Sequence, residues 1–181
     1  MNPSVKTEPS KGTRPDGAIS EADASRKVRE MFTQIAPRYD LLNHLLSLQL
    51  DRVWRARTAR KLRAILQRPD AVVLDLCCGT GDLAFALKKK GKARVIGADF
   101  AHPMLVRANE KSAANFGGAV PFLESDALQL PFADASFDLV TAAFGFRNLA
   151  NYEAGLREMQ RVLKPGGTIG ILEFTEPPAG I

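Results

Sequence analysis

Residues 71–82 read Ala-Val-Val-Leu-Asp-Leu-Cys-Cys-Gly-Thr-Gly-Asp and set the architecture of the chain. An apolar run leads into Asp75, a turn of small residues containing Gly79 and Gly81 follows, and a helix-like run begins at Leu83. This order predicts a buried parallel strand, a tight turn and a helix of an α/β domain. A ligand can approach such a turn closely, because glycine has no Cβ and a helix N-terminus offers free backbone N–H groups.

The carboxylate of Asp75 indicates which kind of ligand the glycine turn can bind. Residues 79–84 fit the Gly-x-Gly-x-x-Gly/Ala fingerprint of dinucleotide binding, and Asp99 stands near the ~20-residue offset that this fingerprint expects. Asp75 precedes the first glycine and argues against a diphosphate, because its carboxylate would repel one. The pattern therefore favours a cationic nucleoside.

Length and composition indicate one soluble domain. The chain has 181 residues, of which 45% are hydrophobic and 25% charged, and this is ordinary for a globular protein. Its net charge of +5 suits an anionic membrane surface, nucleic acid or simple solubility. Its two cysteines, Cys77 and Cys78, are adjacent, so they neither staple distant segments nor have the spacing of metal ligands. We expect no metal, a reducing cytosolic setting, and neither secretion nor a membrane span.

The N-terminal third divides into a tail and a helical segment. Residues 1–24 are nearly devoid of large apolar side chains, so we expect them to be disordered. Residues 25–68 are predicted to be helical, with a first amphipathic helix that stops at Pro37 and a leucine stripe over residues 41–46. Residues 51–67 crowd arginines and lysines around an apolar face, which is either solvated or in contact with a membrane. Residues 69–181 form the predicted ligand-binding domain.

Acidic residues close the next two strands of that domain. Residues 94–99 are predicted to be the second strand, and its terminal Asp99 would accept hydrogen bonds from ribose hydroxyls. Residues 120–123 form the third predicted strand, after which Asp126 would accept from an adenine amino group. Met104 is expected either against the adenine face or in the core. The candidates for cofactor binding are Asp75, Gly79, Thr80, Gly81, Asp99, Phe100, Met104, Asp126, Ala127 and Ala143.

A second informative string follows the fourth predicted strand, residues 137–141. Residues 144–148 read Phe-Gly-Phe-Arg-Asn and would bring a fixed cation, an amide and two aromatic rings to the mouth of the crevice. The alternative is a surface ion pair for Arg147 and core positions for the phenylalanines. A helix over residues 151–163, a Pro-Gly-Gly turn and a fifth strand complete the prediction.

These motifs together resemble one known family. The Asp-x-x-x-Gly-x-Gly pattern at residues 75–81 is similar to the first motif of class I S-adenosylmethionine-dependent methyltransferases. Residues 28–55, the Phe-Gly-x-Arg-Asn string and residues 161–175 resemble signatures of the UbiE/MenG family, which methylates a ring carbon of demethylmenaquinol or of a ubiquinone precursor. The chain departs from the family pattern at Asp51, where His is usual, and at Thr175, where Ser is usual.

The resemblance implies a fold, a cofactor and a reaction. The expected fold is α/β, a Rossmann-like class I methyltransferase with N-terminal helices, in which the closing strands 6 and 7 are missing and the fifth strand is an exposed edge. The expected cofactor is S-adenosylmethionine, and the expected substrate is a polyprenylated hydroquinone. Arg147 and Asn148 are the expected catalytic residues, and the possible bases are Tyr39, His44 and Asp51. A cytoplasmic protein that transiently contacts the inner face of the cytoplasmic membrane is expected, with a possible homo-oligomer and no nucleic acid.

Three other functions fit part of the sequence. A nicotinamide-dependent oxidoreductase would explain the glycine turn and Asp99, although not Asp126 or residues 144–148. A truncated, non-catalytic protein that binds S-adenosylmethionine would explain the cofactor motifs alone. A nucleic-acid methyltransferase would use the basic face on phosphates, although the chain lacks the Asn/Asp-Pro-Pro-Tyr type of motif after the fourth strand.

Overall fold

The computed structural model describes residues 12–39 and 50–174. Six α-helices, two short 3₁₀ helices (Ala36–Arg38 and Phe146–Asn148) and five strands are formed there. The helices are α1 (Glu21–Ile35), α2 (Leu50–Lys61), α3 (Arg63–Leu66), α4 (Asp82–Lys88), α5 (His102–Phe116) and α6 (Tyr152–Val162). The strands are β1 (Val72–Leu76), β2 (Arg94–Asp99), β3 (Phe122–Glu124), β4 (Phe137–Ala143) and β5 (Leu163–Leu172).

The strands form one parallel sheet in the order β3-β2-β1-β4-β5. The chain winds from β1 to β3 on one side and returns to place β4 on the other side of β1. This reversal creates a crevice between the carboxyl ends of β1 and β4, which is where open α/β sheets bind ligands.

Both faces of the sheet are covered, as a parallel sheet requires. Along β1, Val73 packs into a cluster with residues of α2, α3 and α4, while the neighbouring Leu74 packs into a second cluster with α6. Because side chains alternate along a strand, the continuous apolar run before Asp75 supplies both cores at once. The predicted α/β fold with N-terminal helices is confirmed at this level.

The structure describes the N-terminal segment from residue 12 to residue 39. Residues 1–11 and 40–49 lie outside the described residues, and so do the leucine stripe and His44. Helix α1 begins at Glu21, because the Ser20 side chain caps it by accepting a hydrogen bond from the Asp23 N–H. Ahead of it, the Thr13 N–H donates to the Leu149 carbonyl at 2.8 Å. Residues 12–24 thus contribute backbone hydrogen bonds and the first turn of α1, while the disorder expected for residues 1–24 stays a prediction.

Strand β5 begins earlier than expected and contains the predicted turn. Phe137 pairs with Leu163 and Leu139 with Thr168, so most of the Lys164–Gly167 stretch bulges out of the ladder. Gly166 adopts φ +78° there, which glycine accepts without a Cβ clash. Within the described residues β5 pairs with β4 alone and forms an edge of the sheet.

Candidate cofactor and active site

The crevice at the carboxyl ends of β1, β2 and β4 collects most of the predicted site. Its lining includes eight predicted residues, namely Gly79, Asp99, Phe100, Met104, Asp126, Ala127, Ala143 and Asn148. They come from segments far apart in the chain, and the parallel strands bring them to one edge.

The glycine turn is shaped by left-handed backbone. Gly79 has φ +54° and Gly81 has φ +86°, and Gly81 caps helix α4. A Cβ at Gly81 would lie 2.6 Å from the Phe122 ring, so this position needs glycine for space as well as for conformation. Gly81 therefore shapes the turn without lining the crevice. Cys77 is also left-handed, with φ +52°, and burial raises the pKa of its thiol, so it stays uncharged.

Asp99 ties the turn to β2. Its Oδ2 accepts from the Gly79 N–H and its Oδ1 from the Ala101 N–H, both at 2.9 Å. Burial raises the pKa of the Asp99 carboxyl, and these hydrogen bonds oppose that rise. Each carboxylate oxygen has a second lone pair, so Asp99 retains acceptor capacity for a ribose.

The predicted adenine side of the crevice lies near the end of β3. Asp126 is exposed, and its Oδ1 accepts from the Leu128 N–H at 2.8 Å, which fixes the loop. The neighbouring Ser125 hydroxyl is buried, and no described residue hydrogen-bonds it. Buried polar atoms are normally paired, so Ser125 adds a polar group for a ligand that the sequence interpretation missed.

Helix α1 and the residues directly after it cover one side of the crevice. Ser25, Phe32 and Tyr39 line it beside Met104. Met104 is buried and packs in a cluster with Phe32 and Tyr39, so it is both core and lining. The amphipathic pattern of α1 predicted a buried stripe, although which part of the domain that stripe covers depends on the tertiary fold.

Asp75 and Thr80 border a second, smaller cavity that adjoins the crevice. Asp75 is buried, and its Oδ1 accepts from the Thr141 hydroxyl at 2.8 Å. Among the residues that the structure describes, no group lies within hydrogen-bonding geometry of its Oδ2. Burial raises the pKa of the Asp75 carboxyl to about 7, while the Thr141 hydroxyl, the Ala84 N–H and the Arg55 charge lower it.

The side chains of Arg147 and Asn148, in the string after β4, lie at different positions. Asn148 lines the crevice, and its side-chain amide lies 3.5 Å from the Phe144 carbonyl. Arg147 lies at the rim outside the lining, with Nε 3.8 Å from Glu173 and the guanidinium 5.3 Å from the Phe174 ring centre. The predicted cation and amide are therefore neighbours in the chain, while their side chains occupy different positions.

An aromatic cluster borders the crevice at the same rim. It consists of Trp54, Phe144 and Phe174, with Phe144 and Phe174 stacked at 5.0 Å between ring centres and Trp54 at 5.5 Å from Phe174. Phe144 also lines the crevice, and its backbone is left-handed with φ +58°. Phe174 is 58% exposed. The cluster thus offers an apolar surface continuous with the crevice.

Of the three candidate bases, one lies at the crevice, one lies in a buried ion pair, and one is outside the described residues. Tyr39 lies above the turn, with its ring 3.7 Å from where a Cβ of Gly79 would stand. Asp51 is buried in an ion pair with Arg55. His44 lies outside the described residues. Over residues 12–39 and 50–174 the structure gathers no group of three His, Cys, Asp or Glu side chains that suits a metal.

Comparison with known proteins places this geometry in a family. Residues 20–180 match the model of the ubiE/COQ5 methyltransferase family. The chain is 54% identical over 151 residues to the demethylmenaquinone methyltransferase of Thermus thermophilus, covering 83% of this chain and 67% of that protein. It is 49% identical over 160 residues to the demethylmenaquinone methyltransferase of Deinococcus radiodurans, covering 88% and 65%. The chain thus spans about two thirds of the length of these relatives.

A solved structure supports the fold. A chain from the complex between the Haloferax volcanii Trm112 methyltransferase activator and the putative methyltransferase aligns with TM-score 0.62 and 30% identity, over 76% of this chain and 57% of that one. The predicted methyltransferase fold and family are confirmed, and the family implies S-adenosylmethionine as the cofactor. The chain belongs to the ubiE/COQ5 methyltransferase family.

Proposed function

We propose that this chain carries the cofactor-binding and methyl-transfer part of a demethylmenaquinone methyltransferase. The reaction is transfer of the methyl group of S-adenosylmethionine to a ring carbon of a polyprenylated hydroquinone, 2-demethylmenaquinol in the first place. The observation that carries the proposal is one crevice lined jointly by Asp99, Asp126 and Asn148, which unites the cofactor candidates with the Phe-Gly-x-Arg-Asn string.

The polar groups present fit the cofactor. Asp75 and Asp99 place two buried carboxyls at the turn, and a ligand with a sulfonium and an ammonium group would favour their ionised forms. The unpaired Ser125 hydroxyl and Asp75 Oδ2 are buried groups that a bound ligand would satisfy. Asp99 would hold the ribose, while Asp126, Ala127 and Phe100 would border the adenine.

The chemistry depends on positioning and on the substrate hydroxyl. The bound cofactor supplies an activated methyl group, so the protein mainly has to align it with the ring carbon. The ring becomes nucleophilic as its hydroxyl loses a proton, and a cation or amide beside the forming phenolate stabilises it. Asn148 in the crevice and Arg147 at the rim are the residues proposed for this task, and Arg147 would turn inward from Glu173 to reach the phenolate.

The quinol is proposed to enter from a membrane surface. The aromatic cluster of Trp54, Phe144 and Phe174 would cover its ring, and the exposed side of α2 combines Val53 with several arginines. Such a surface is attracted by anionic lipids. Within the described ranges, no helix combines the length and apolar character needed to cross a bilayer. We therefore propose a cytoplasmic protein in transient contact with the inner face of the membrane, without a nucleic-acid partner.

A homo-oligomer is a further part of the proposal. Strand β5 is an edge within the described residues, and Ile171 on it is 43% exposed. The unpaired backbone groups of an exposed edge strand are a template for pairing with a second chain. The mass of the protein by light scattering would test this.

Methyl transfer from labelled S-adenosylmethionine to a demethylmenaquinol analogue tests the function directly. We expect labelled menaquinol, and a rate reduced at least about 100-fold in Arg147→Ala. The matched control is Arg157→Ala on α6, whose side chain is 68% exposed and paired with Glu153, and this variant should keep the wild-type rate. Cofactor binding without turnover would instead favour a non-catalytic binding protein.

A further inference from the structure

A short segment ahead of helix α1 lies across the loop that joins β4 to α6. We call residues 12–14 the N-terminal strap and residues 144–151 the β4–α6 loop. The Gly12 backbone packs directly on this loop, because a Cβ added there would lie 2.0 Å from the Ala150 carbonyl oxygen. The loop carries the Phe-Gly-x-Arg-Asn string, so the strap contacts the stretch that holds the groups proposed for methyl transfer.

Thr13 hydrogen-bonds two carbonyls of the loop. Its N–H donates to the Leu149 carbonyl at 2.8 Å, and its hydroxyl donates to the Arg147 carbonyl. The Tyr152 hydroxyl, at the start of α6, donates to the same Arg147 carbonyl at 3.0 Å and lies 3.1 Å from the Thr13 hydroxyl. A carbonyl oxygen has two lone pairs, so it accepts both bonds.

Arg14 extends the contact to the next residue of the loop and to helix α1. Its Nη1 donates to the Ala150 carbonyl at 2.6 Å, and its Nη2 lies 3.8 Å from Glu21 Oε2. Glu21 Oε1 in turn accepts from the Asn151 side-chain amide at 3.0 Å. The strap and the first turn of α1 therefore hold three carbonyls and one side chain of the β4–α6 loop.

The loop needs donors from another segment. Its own hydrogen bonds include those from the Asn148 N–H to the Gly145 carbonyl at 3.0 Å and from the Leu149 N–H to the Phe146 carbonyl at 3.1 Å, which form one short 3₁₀ turn. Carbonyls at and beyond the end of a short helix lack an intrahelical donor. The strap supplies those donors.

The stretch that the strap holds also lines the crevice. Asn148, Leu149 and Ala150 line it, and the last two are buried. The Asn148 amide lies 3.5 Å from the Phe144 carbonyl, which is long for a hydrogen bond. The position of this amide therefore depends mainly on the backbone of the loop, and that backbone is held by Thr13.

We propose that Thr13 is a positioning residue for methyl transfer: its hydroxyl and N–H fix the backbone of residues 147–149 so that the Asn148 amide faces the crevice. The inference rests on the proposed function, because that function assigns the reaction and the task of Asn148. Loss of such positioning lowers the rate more than the affinity, since a displaced group no longer meets the charge that develops in the transition state.

Steady-state methyl transfer by two variants tests the role of the hydroxyl. Thr13→Val keeps the shape of the side chain and removes its hydroxyl, whereas Thr13→Ser keeps the hydroxyl. With active sites counted by adenosylhomocysteine titration, we expect kcat about 10-fold lower in Thr13→Val and within about 2-fold of wild type in Thr13→Ser. Adenosylhomocysteine affinity and the KM values should change less than about 3-fold. A loss of folded protein alone leaves kcat per site unchanged, and an unchanged kcat in Thr13→Val would overturn the proposal.

Asn148→Ala links the strap to the group that it positions. In this background Thr13→Val should lower kcat less than about 2-fold, because the amide to be positioned is absent. An equal fold-change in the two backgrounds would overturn the link between Thr13 and Asn148.

Ser136→Ala is the matched control for loss of a hydroxyl. The Ser136 hydroxyl also donates to a backbone carbonyl, that of Ala133 at 2.7 Å, but it precedes β4 and lies at the edge of the sheet opposite the crevice. This variant should keep the wild-type kcat.

Amide hydrogen exchange of the whole chain separates this proposal from the proposed function. In Thr13→Val, exchange of residues 145–150 should be at least about 5-fold faster, with exchange of β1 and β2 unchanged. Unchanged exchange in the loop would overturn the proposal even in an active enzyme. An absence of methyl transfer in the wild type would instead overturn the proposed function, and the exchange of the loop would still decide whether Thr13 holds it.

Discussion

Asp99 Oδ2 accepts a hydrogen bond of 2.9 Å from the backbone N–H of Gly79. The acid that ends β2 therefore holds the turn that follows β1, in addition to any contact with a ribose. We expect Asp99→Asn to weaken adenosylhomocysteine binding at least about 10-fold and to lower the free energy of unfolding by about 1 to 3 kcal/mol. Calorimetric titration and urea unfolding measure the two effects.

The control for this change is Asp70→Asn. The Asp70 side chain is 72% exposed and pairs with Arg68 at the surface, so neither quantity should move appreciably. Unchanged binding in Asp99→Asn would argue against a ribose contact.

The charge of Asp75 is expected to make cofactor binding depend on pH. Burial raises the pKa of this carboxyl to about 7, with Arg55 opposing and Asp99 adding to the rise. A ligand ammonium favours the ionised form, so binding below pH 7 must release a proton. The affinity for adenosylhomocysteine should therefore increase as the pH rises from about 6 to about 8. Titrations in two buffers of different ionisation enthalpy count the protons released.

Asp75→Asn provides the comparison. Residue 75 of the variant cannot ionise, so the affinity should be lower and should lose most of its pH dependence over the same range. A pH dependence that persists in this variant would assign the proton to another group.

Gly81 and Gly117 make a matched pair of left-handed glycines. Both have positive φ, +86° and +58°. A Cβ at Gly81 would meet the Phe122 and Phe85 rings within 3 Å, whereas no atom of the described residues lies within 4 Å of a Cβ at Gly117. Gly117→Ala should cost about 1 kcal/mol from backbone conformation alone. Gly81→Ala should cost about 2 to 5 kcal/mol because overpacking is added. Chemical unfolding of both variants compares them, and equal costs would contradict the crowding seen at Gly81.

Asp138 on β4 pairs with two basic residues. We expect these pairs to raise the free energy of unfolding at every pH at which Asp138 is ionised. It pairs with Lys164 at 2.7 Å and with Arg68 at 2.8 Å. Although burial raises the pKa of this carboxyl, the hydrogen bonds from Lys164, Val72 and Arg68 bring it down to about 2. The pKa in the folded state is thus below the ordinary value of about 4.

The stabilisation from Asp138 should therefore be complete above about pH 4 and disappear as the pH falls toward 2. Asp138→Asn should lower the free energy of unfolding by about 1 to 2 kcal/mol at pH 7, and the difference from wild type should shrink across that acid range. Urea unfolding at several pH values measures it. A deficit that stays constant down to pH 2 would assign the effect to packing.

Phe174 is expected to serve the quinol and not the cofactor. It is 58% exposed and stacks on Phe144, which lines the crevice. Phe174→Ala should raise the KM for a demethylmenaquinol analogue about 10-fold, since an aromatic contact is lost, and leave adenosylhomocysteine affinity unchanged. Leu156→Ala, which removes an apolar side chain 41% exposed on α6, is the control and should alter neither.

The local sequence sufficed for the strand, turn and helix around Gly79 and Gly81, and for the acids at the strand ends. A strand as regular as Arg94–Asp99 is fixed by its own apolar pattern, and the parallel sheet then necessarily brings Asp99 and Asp126 to the same edge. The resemblance in the Phe-Gly-x-Arg-Asn string likewise needed no coordinates.

Contacts between distant segments required the folded chain. The closure of the crevice by α1 and the placement of Arg55 at the cavity that Asp75 borders depend on how the N-terminal helices pack on the sheet. The direction of the Arg147 side chain depends on Glu173 beyond β5. Periodicity shows that a helix has a buried face, but it does not identify the surface that buries it. In the sequence, Arg55 is one of several basic residues in a run that was expected to be solvated or to contact a membrane. In the structure it is buried in ion pairs with Asp51 and Asp82.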